Sequence, residues 1–171
     1  MPSRLATGSA RDLVQAERDI RQRIGDQHLD FAAMAAVSNI YRAANVVRNH
    51  MERTVLADED LSWAAFTVLF VLWIWGEQQT RHLAVEAGVT KGTLTGVLKT
   101  LEKRGLTKRQ AHDEDGRLVL VSLEPKGEAV IERLFPAFNA GETQVSAGLS
   151  EREKGQLAGL LRKIIRVVET D

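Results

Sequence analysis

From Thr90 to His112 the chain carries six basic side chains, Lys91, Lys99, Lys103, Arg104, Lys108 and Arg109, against one acid, Glu102. The local charge is 6 − 1 = +5, in a chain of 171 residues whose 23 basic and 23 acidic side chains cancel. Segregated positive charge suits non-covalent capture of a polyanion, since Lys and Arg that neutralise phosphates release condensed counterions. A solvated lysine-rich face is the bland alternative, and the coincidence of this cluster with the expected groove face weighs against it. At about 100° per residue, Leu94, Val97, Leu98 and Leu101 fall on one side of a helix beginning near Lys91. The opposite side presents Gly92, Thr95, Gly96, Lys99 and Lys103, with Lys91 and Thr93 on its flanks. No acid and no large apolar residue interrupts that face. Lys99 and Lys103 suit phosphates, while Lys91, Thr93 and Thr95, near the helix start, suit base edges in a major groove. Gly92 and Gly96 each cost a helix about 1 kcal/mol relative to Ala. Either they let the backbone approach DNA closely or they are merely tolerated.

The elements that must hold this face are legible on either side of it. Ala84 and Gly88 stand four apart, which places a small residue where two helices touch and a glycine at a left-handed cap. Leu83, Ala87, Val89, Leu94 and Val97 fill the apolar positions that lock the second helix on the first, and Thr90 is a natural N-cap. This is the pattern of a helix-turn-helix. A hairpin is expected next: a strand over Leu106 to Ala111, a loop over His112 to Gly116 with Asp115-Gly116 as its turn, and a return strand over Arg117 to Leu123. Val119, Val121 and Leu123 alternate onto one face of the return strand. Arg109 and Arg117 add cations along this wing. Arg117 at the loop end can reach a minor groove, with Asp115 holding its guanidinium, the alternative being a local turn salt bridge.

Helical zones flank this middle segment. Leu13, Ile20 and Ile24 form a weak stripe, and Val37, Ile40, Tyr41, Ala44, Val47 and Met51 a stronger one, with Gly25 and Asp26 separating two helices. Trp63 to Trp75, apolar except for Thr67, reads as a helix buried on nearly all sides. At thirteen residues it is well short of the roughly 20 that span a bilayer. Pro125 suits a first helical turn, and Pro136 is expected to kink the helix that contains it. Ser150 and Glu153 form a capping box ahead of an apolar stripe at Leu157, Leu160, Leu161, Ile164, Ile165 and Val168. The expected fold is mainly α with a small β wing: a winged helix-turn-helix over 61–124, flanked by dimerisation helices in 1–60 and 125–171. Apolar stripes at both chain ends are most simply buried against each other and a second copy, giving a homodimer; a monomer with these helices folded onto the middle segment is the alternative.

Other function classes find little support. With no Cys there is no disulfide, thiolate zinc site or cysteine redox sensor, and His28, His50, His82 and His112 form no close ligand pair. No nucleophile–base pair or Gly-rich phosphate loop stands out, so no enzyme, cofactor or metal is expected. Neither a secretory signal nor a membrane span is evident, which leaves the cytoplasm as the expected location.

The order helix, helix-turn-helix, Lys-Arg-rich strand, Asp-Gly-Arg wing and long C-terminal helices resembles the MarR family of winged-helix transcriptional regulators. The likeness runs from about Asp30 to Val168. It is carried by Leu61-Ser62-Trp63 with Phe66 and Leu69, Leu83-Ala84 to Gly88-Val89, and Thr90-Lys91-Gly92-Thr93-Leu94-Thr95. Leu101-Glu102 with Arg104-Gly105-Leu106, then Asp115-Gly116-Arg117 with Val121-Ser122-Leu123 and Gly127, complete it. The resemblance implies a homodimer on a palindromic double-stranded operator, usually a repressor, often released by a small aromatic or phenolic acid. An effector-independent architectural or protein-interaction module is the alternative. Gly96 stands where many members carry a long polar reader, Glu114 where a basic residue is frequent, and the lack of Cys sets the chain apart from peroxide-sensing members. About 27 N-terminal residues lie outside the likeness and are expected to act as an arm on the dimer. For the effector, Trp63, Phe66 and Phe70, with Tyr41, Asn45 and Arg48, are the residues expected to line an aromatic cleft with an anion partner.

Overall fold

Leu13, Ile20 and Ile24 recur at helical spacing, and the computed structural model, which describes residues 10–25, 28–111 and 118–169, forms α1 over Ala10–Ile24. Gly25, at φ +72°, ends it, its N–H bonding to the Arg21 carbonyl at 3.1 Å. α2, Phe31–Met51, opens on Asp30, whose carboxylate accepts the Ala33 N–H at 2.8 Å and so satisfies a free donor of the first turn. Asn39 donates to Glu17 at 3.0 Å, and the Arg21 guanidinium sits 4.9 Å above the Phe31 ring, tying α1 to α2. The described residues divide after His50 into two compact units.

The second unit contains the middle segment and the C-terminal helices. A π-helical turn, Glu52–Leu56, and a 3-10 turn, Ala57–Glu59, lead to Asp60, at φ 48° the one non-glycine among the described residues in the left-handed region. Ser62 then caps α3, Trp63–Trp75, its hydroxyl accepting the Ala65 N–H at 3.2 Å. Ala65, Phe66, Val68, Leu69, Val71 and Leu72 of α3 are buried, yet Ile74 and Trp75 are exposed. The helix is therefore open at its C-terminal end rather than enclosed throughout. No helix among the described residues is long and apolar enough to cross a membrane.

Around α3 gather α4, Thr80–Glu86, α5, Lys91–Lys103, and α6, Pro125–Val145. Leu83, Leu94, Leu98, Leu101, Leu106, Val121 and Ile131 are essentially inaccessible, and each such side chain contributes about 1.5–3 kcal/mol relative to exposure. Pro125 opens α6, and the helix carries on past Pro136, which lacks the N–H that would bond to the Glu132 carbonyl. α7, Glu151–Glu169, starts at the Ser150 capping box: the Ser150 N–H donates to Glu153 at 2.8 Å and the Glu153 N–H to the Ser150 hydroxyl at 3.4 Å. No residue of α7 is buried.

The sheet is three-stranded and antiparallel. β1, Gln78–Gln79, pairs with β3, Val119–Leu123, which pairs in turn with β2, Thr107–Ala111, in the order β1-β3-β2. The register runs from Thr107↔Leu123 to Ala111↔Val119. β2 begins one residue later than the apolar pattern predicts. Gly105, at φ +69°, closes α5 in a Schellman motif, with the Leu106 N–H spent on the Leu101 carbonyl at 3.0 Å, so Leu106 belongs to the cap. β1 is two polar residues long and offers no alternation by which the sequence could announce it. The expected loop, His112 to Gly116, and Arg117 lie outside the described residues.

Candidate nucleic-acid interface

Two caps fix the helix that carries the candidate face. Gly88, at φ +63°, ends α4 in a Schellman motif: Val89 N–H to Ala84 C=O at 3.0 Å and Gly88 N–H to Val85 C=O at 3.0 Å. Ala84, 8% exposed, is small enough to sit at the α4–α5 contact. The Thr90 hydroxyl then accepts the Thr93 N–H at 3.1 Å and starts α5. Leu94, Leu98 and Leu101 seal the inner side of α5, so its rotation about its own axis is set by apolar packing.

That rotation turns Lys91, Gly92, Thr93, Thr95, Gly96, Lys99 and Lys103 to solvent, all of them exposed. The side-chain ammonium groups of Lys91, Lys99 and Lys103 make no hydrogen bond or ion pair with another described residue. The three threonine hydroxyls are already engaged. Thr95 donates to the Lys91 carbonyl at 2.9 Å, and Thr90 and Thr93 share a hydroxyl–hydroxyl bond of 2.9 Å. With its proton committed, Thr95 meets an incoming group chiefly as an acceptor or through its methyl. An ideal Cβ at Gly96 would meet nothing within 4 Å, and one at Gly92 only the Thr90 hydroxyl oxygen at 3.9 Å. Protein packing therefore does not require glycine at either position.

The other bases of the +5 segment are tied into the protein. Arg104 donates to the backbone carbonyls of Glu59 at 2.7 Å and Asp60 at 2.9 Å, and its own carbonyl receives Lys126 Nζ at 3.0 Å. It clamps the end of α5 to the turn before α3 and is an anchor of the fold. Lys108 lies 3.8 Å from Glu124, and Gln110 donates to Glu77 at 2.9 Å. Arg109 is held side-on by Glu102, Nε to Oε1 at 2.5 Å and Nη2 to Oε2 at 2.6 Å. This hydrogen bonding raises the Arg109 pKa above its ordinary value, opposed by desolvation and helped to a lesser degree by the charge of Glu102. Counting bases along the sequence finds the cluster but cannot separate free from committed cations, because Glu59, Asp60 and Glu124 approach from other elements. Asp115 and Arg117 lie outside the described residues.

The residues expected around an aromatic cleft divide between the two units. In the first, Tyr41 is 69% exposed, and Arg48 donates to Asn45 at 2.7 Å. In the second, Trp63 and Phe70 are half-buried. Phe66 is 3% exposed, its ring stacked 3.8 Å from Phe138 and 6.1 Å from Phe70, so it works as core packing between α3 and α6. The ring contacts continue from Phe70 through Phe135 to Trp73.

A capped, buried-side-locked second helix followed by a small antiparallel wing is the geometry of a winged helix. The MarR family model matches residues 61–119. The HTH-type transcriptional regulator YwaE of Bacillus subtilis, itself described as uncharacterized, is 41% identical over 138 residues, 81% of either chain. The chain belongs to the MarR family. Among solved structures, this MarR-family chain superimposes on a MarR mutant from E. coli complexed with operator DNA at a TM-score of 0.66 and 25% identity, over 75% of this chain and 95% of that one. BpsR of Bordetella bronchiseptica, whose DNA binding is described as regulated by 6-hydroxynicotinic acid, superimposes at 0.69 and 27% identity, over 75% and 98%. The MarR-family protein described here is thus a DNA-binding transcriptional regulator.

Proposed function

We propose that this MarR-family regulator is a cytoplasmic, homodimeric repressor that reads a palindromic operator with the outer face of α5. Residues 61–124 hold the reader, while helices from 1–60 and 125–171 join two copies. The observation that carries the reading is the outer face itself. Lys91, Thr93, Thr95, Lys99 and Lys103 are all exposed, with no acid or large apolar side chain among them, on a helix whose opposite side is sealed in the core. A helix so held places its N-terminal side chains at base edges and its later lysines at phosphates. Arg109 and Arg117 extend the contact along the wing. Dimerisation is supported by α7, whose Leu157, Leu160, Ile164, Ile165 and Val168 are all exposed within one chain. Two half-sites one helical turn apart are then the natural target.

The effector is a small aromatic or phenolic acid that lowers operator affinity. The regulation described for BpsR supports this, and the half-buried Trp63 and Trp73 on α3 can report binding nearby. The reading is tested with a duplex selected by the protein from a random pool and a scrambled duplex of equal length. Thr93→Ala is expected to narrow the affinity gap between the two, whereas Arg117→Ala weakens both alike. A panel of aromatic acids is expected to quench tryptophan emission and to weaken binding to the selected duplex reciprocally. Equal affinity of the wild type for both duplexes contradicts operator recognition. An inert panel contradicts the effector and leaves an effector-free regulator.

A further inference from the structure

Glu102 is the only acid between Thr90 and Ala111, and it stands on the helix offered to DNA, where a carboxylate should repel phosphate. Its geometry gives it another role. The carboxylate grips Arg109 side-on through Nε and Nη2, which uses two of the five guanidinium donors. Among the described residues nothing else takes both Nη1 hydrogens and the second Nη2 hydrogen, and these lie along the end-on edge that pairs with a phosphate. The acid is also the inner partner: its side chain is 24% exposed against 38% for Arg109. The carboxylate therefore holds the guanidinium by its Nε side and leaves the end-on edge without a partner among the described residues. Among the described cations of the segment, Arg104 is committed to backbone carbonyls and Lys108 lies near Glu124. Arg109, exposed on β2, is thus the described arginine of the segment whose end-on edge has no partner among the described residues.

We propose that Glu102 is a positioning residue for DNA binding, which pre-orders Arg109 so that its end-on edge meets a backbone phosphate without losing side-chain entropy on contact. The inference rests on the reading of this face as the DNA contact. Its signature is a reversal of sign. By charge alone, removing Glu102 makes the face more positive, which tightens DNA binding and steepens its salt dependence. As a positioning residue, its removal instead loosens Arg109, weakens binding and flattens the salt dependence.

The test compares wild type, Glu102→Ala, Glu102→Gln, Arg109→Ala and the Glu102→Ala/Arg109→Ala double variant on the selected and scrambled duplexes at several salt concentrations. Thermal melts confirm that each variant is folded. Glu102→Ala and Arg109→Ala are each expected to lose about tenfold in affinity for the selected duplex. Each should also lower the slope of log K against log salt by about 0.9 per phosphate contact. In the Arg109→Ala background, Glu102→Ala should cost nothing further and restore some affinity, because only its charge then remains. Glu102→Gln keeps the packing and one acceptor and should fall between wild type and Glu102→Ala. Tighter binding with a steeper slope in Glu102→Ala and Glu102→Gln overturns the proposal and makes the carboxylate a mute on Arg109. If Arg109→Ala binds as wild type while the wild type still prefers the selected duplex, the positioning role fails but DNA reading by α5 stands. If the wild type shows no preference, the underlying reading fails first.

Discussion

Gly96→Ala is expected to push stability and DNA affinity in opposite directions. Gly96 lies near the middle of the thirteen-residue α5, with helical backbone and no atom within 4 Å of an added Cβ. Alanine there avoids both the backbone entropy and the steric terms that would oppose it, so the fold should gain about 1 kcal/mol, raising Tm by roughly 2–4 °C for a chain of this size. On the DNA side the new methyl stands about 1.5 Å proud of the surface presented to the groove. Lifting the helix by that amount stretches hydrogen bonds of about 2.9 Å beyond useful length. Losing one good base contact costs about 1–3 kcal/mol, or roughly thirtyfold in affinity at its midpoint. Urea melts give the stability, and fluorescence anisotropy on the selected duplex gives the affinity. A more stable variant that binds within twofold of wild type would refute the close-approach argument and leave Gly96 as a tolerated residue. A less stable variant would refute the statement that the space outside Gly96 is open.

At Gly127 the expectation is the reverse: its Cβ would fall 2.0 Å from the Leu106 carbonyl oxygen, which also receives the Glu124 N–H, so Gly127→Ala should cost about 2–4 kcal/mol in urea melts. A loss under about 1 kcal/mol would mean that α6 slides easily at its first turn. Leu161→Asp with Ile164→Asp should give a folded monomer, since neither side chain is buried within one chain; light scattering that found the wild type monomeric at micromolar concentration would remove the dimer from the account. The Glu153 carboxyl is held below its ordinary pKa by hydrogen bonds from the Ser150 hydroxyl and N–H. Its contribution is therefore complete above the unfolded carboxyl value of about 4.3 and lost as pH falls through the lower folded value, so Glu153→Gln should flatten the acid limb of the stability–pH curve. An unchanged limb means the capping box carries no weight.

Sequence alone located most of what local chemistry determines. Leu83, Ala84, Gly88, Thr90, Leu94 and Leu98 each follow from a rule acting within a turn or two, and the structure places each in its expected role. The capping box at Ser150 and Glu153 was legible for the same reason. What escaped depends on partners brought in by tertiary structure. Arg104 is indistinguishable from a DNA-facing base until Glu59 and Asp60, more than forty residues earlier, present their carbonyls to it. Phe66 is an aromatic on an apolar helix, and only the approach of Phe138 from α6 decides that its ring belongs to the core. Gly127 looked like one motif position among several. The Leu106 carbonyl against its Cα gives the physical reason for glycine there. β1 has no pattern to read, being two glutamines ordered by pairing with Val121 and Leu120.

On the proposed reading the exposed face of α5 meets DNA, with Lys91, Lys99 and Lys103 as its uncommitted cations. The most direct measurement is the slope of log K against log salt on the selected duplex for wild type and for Lys91→Gln, Lys99→Gln and Lys103→Gln. Lys99→Gln and Lys103→Gln should each lower the slope by about 0.9 per phosphate contact, so by about 1.8 in a dimer that uses both copies. Lys91→Gln, at the base edges, should chiefly narrow the gap between selected and scrambled duplexes, and Lys154→Gln on α7 should leave the slope unchanged. Slopes that stay at the wild-type value in both Lys99→Gln and Lys103→Gln would contradict DNA binding by this face.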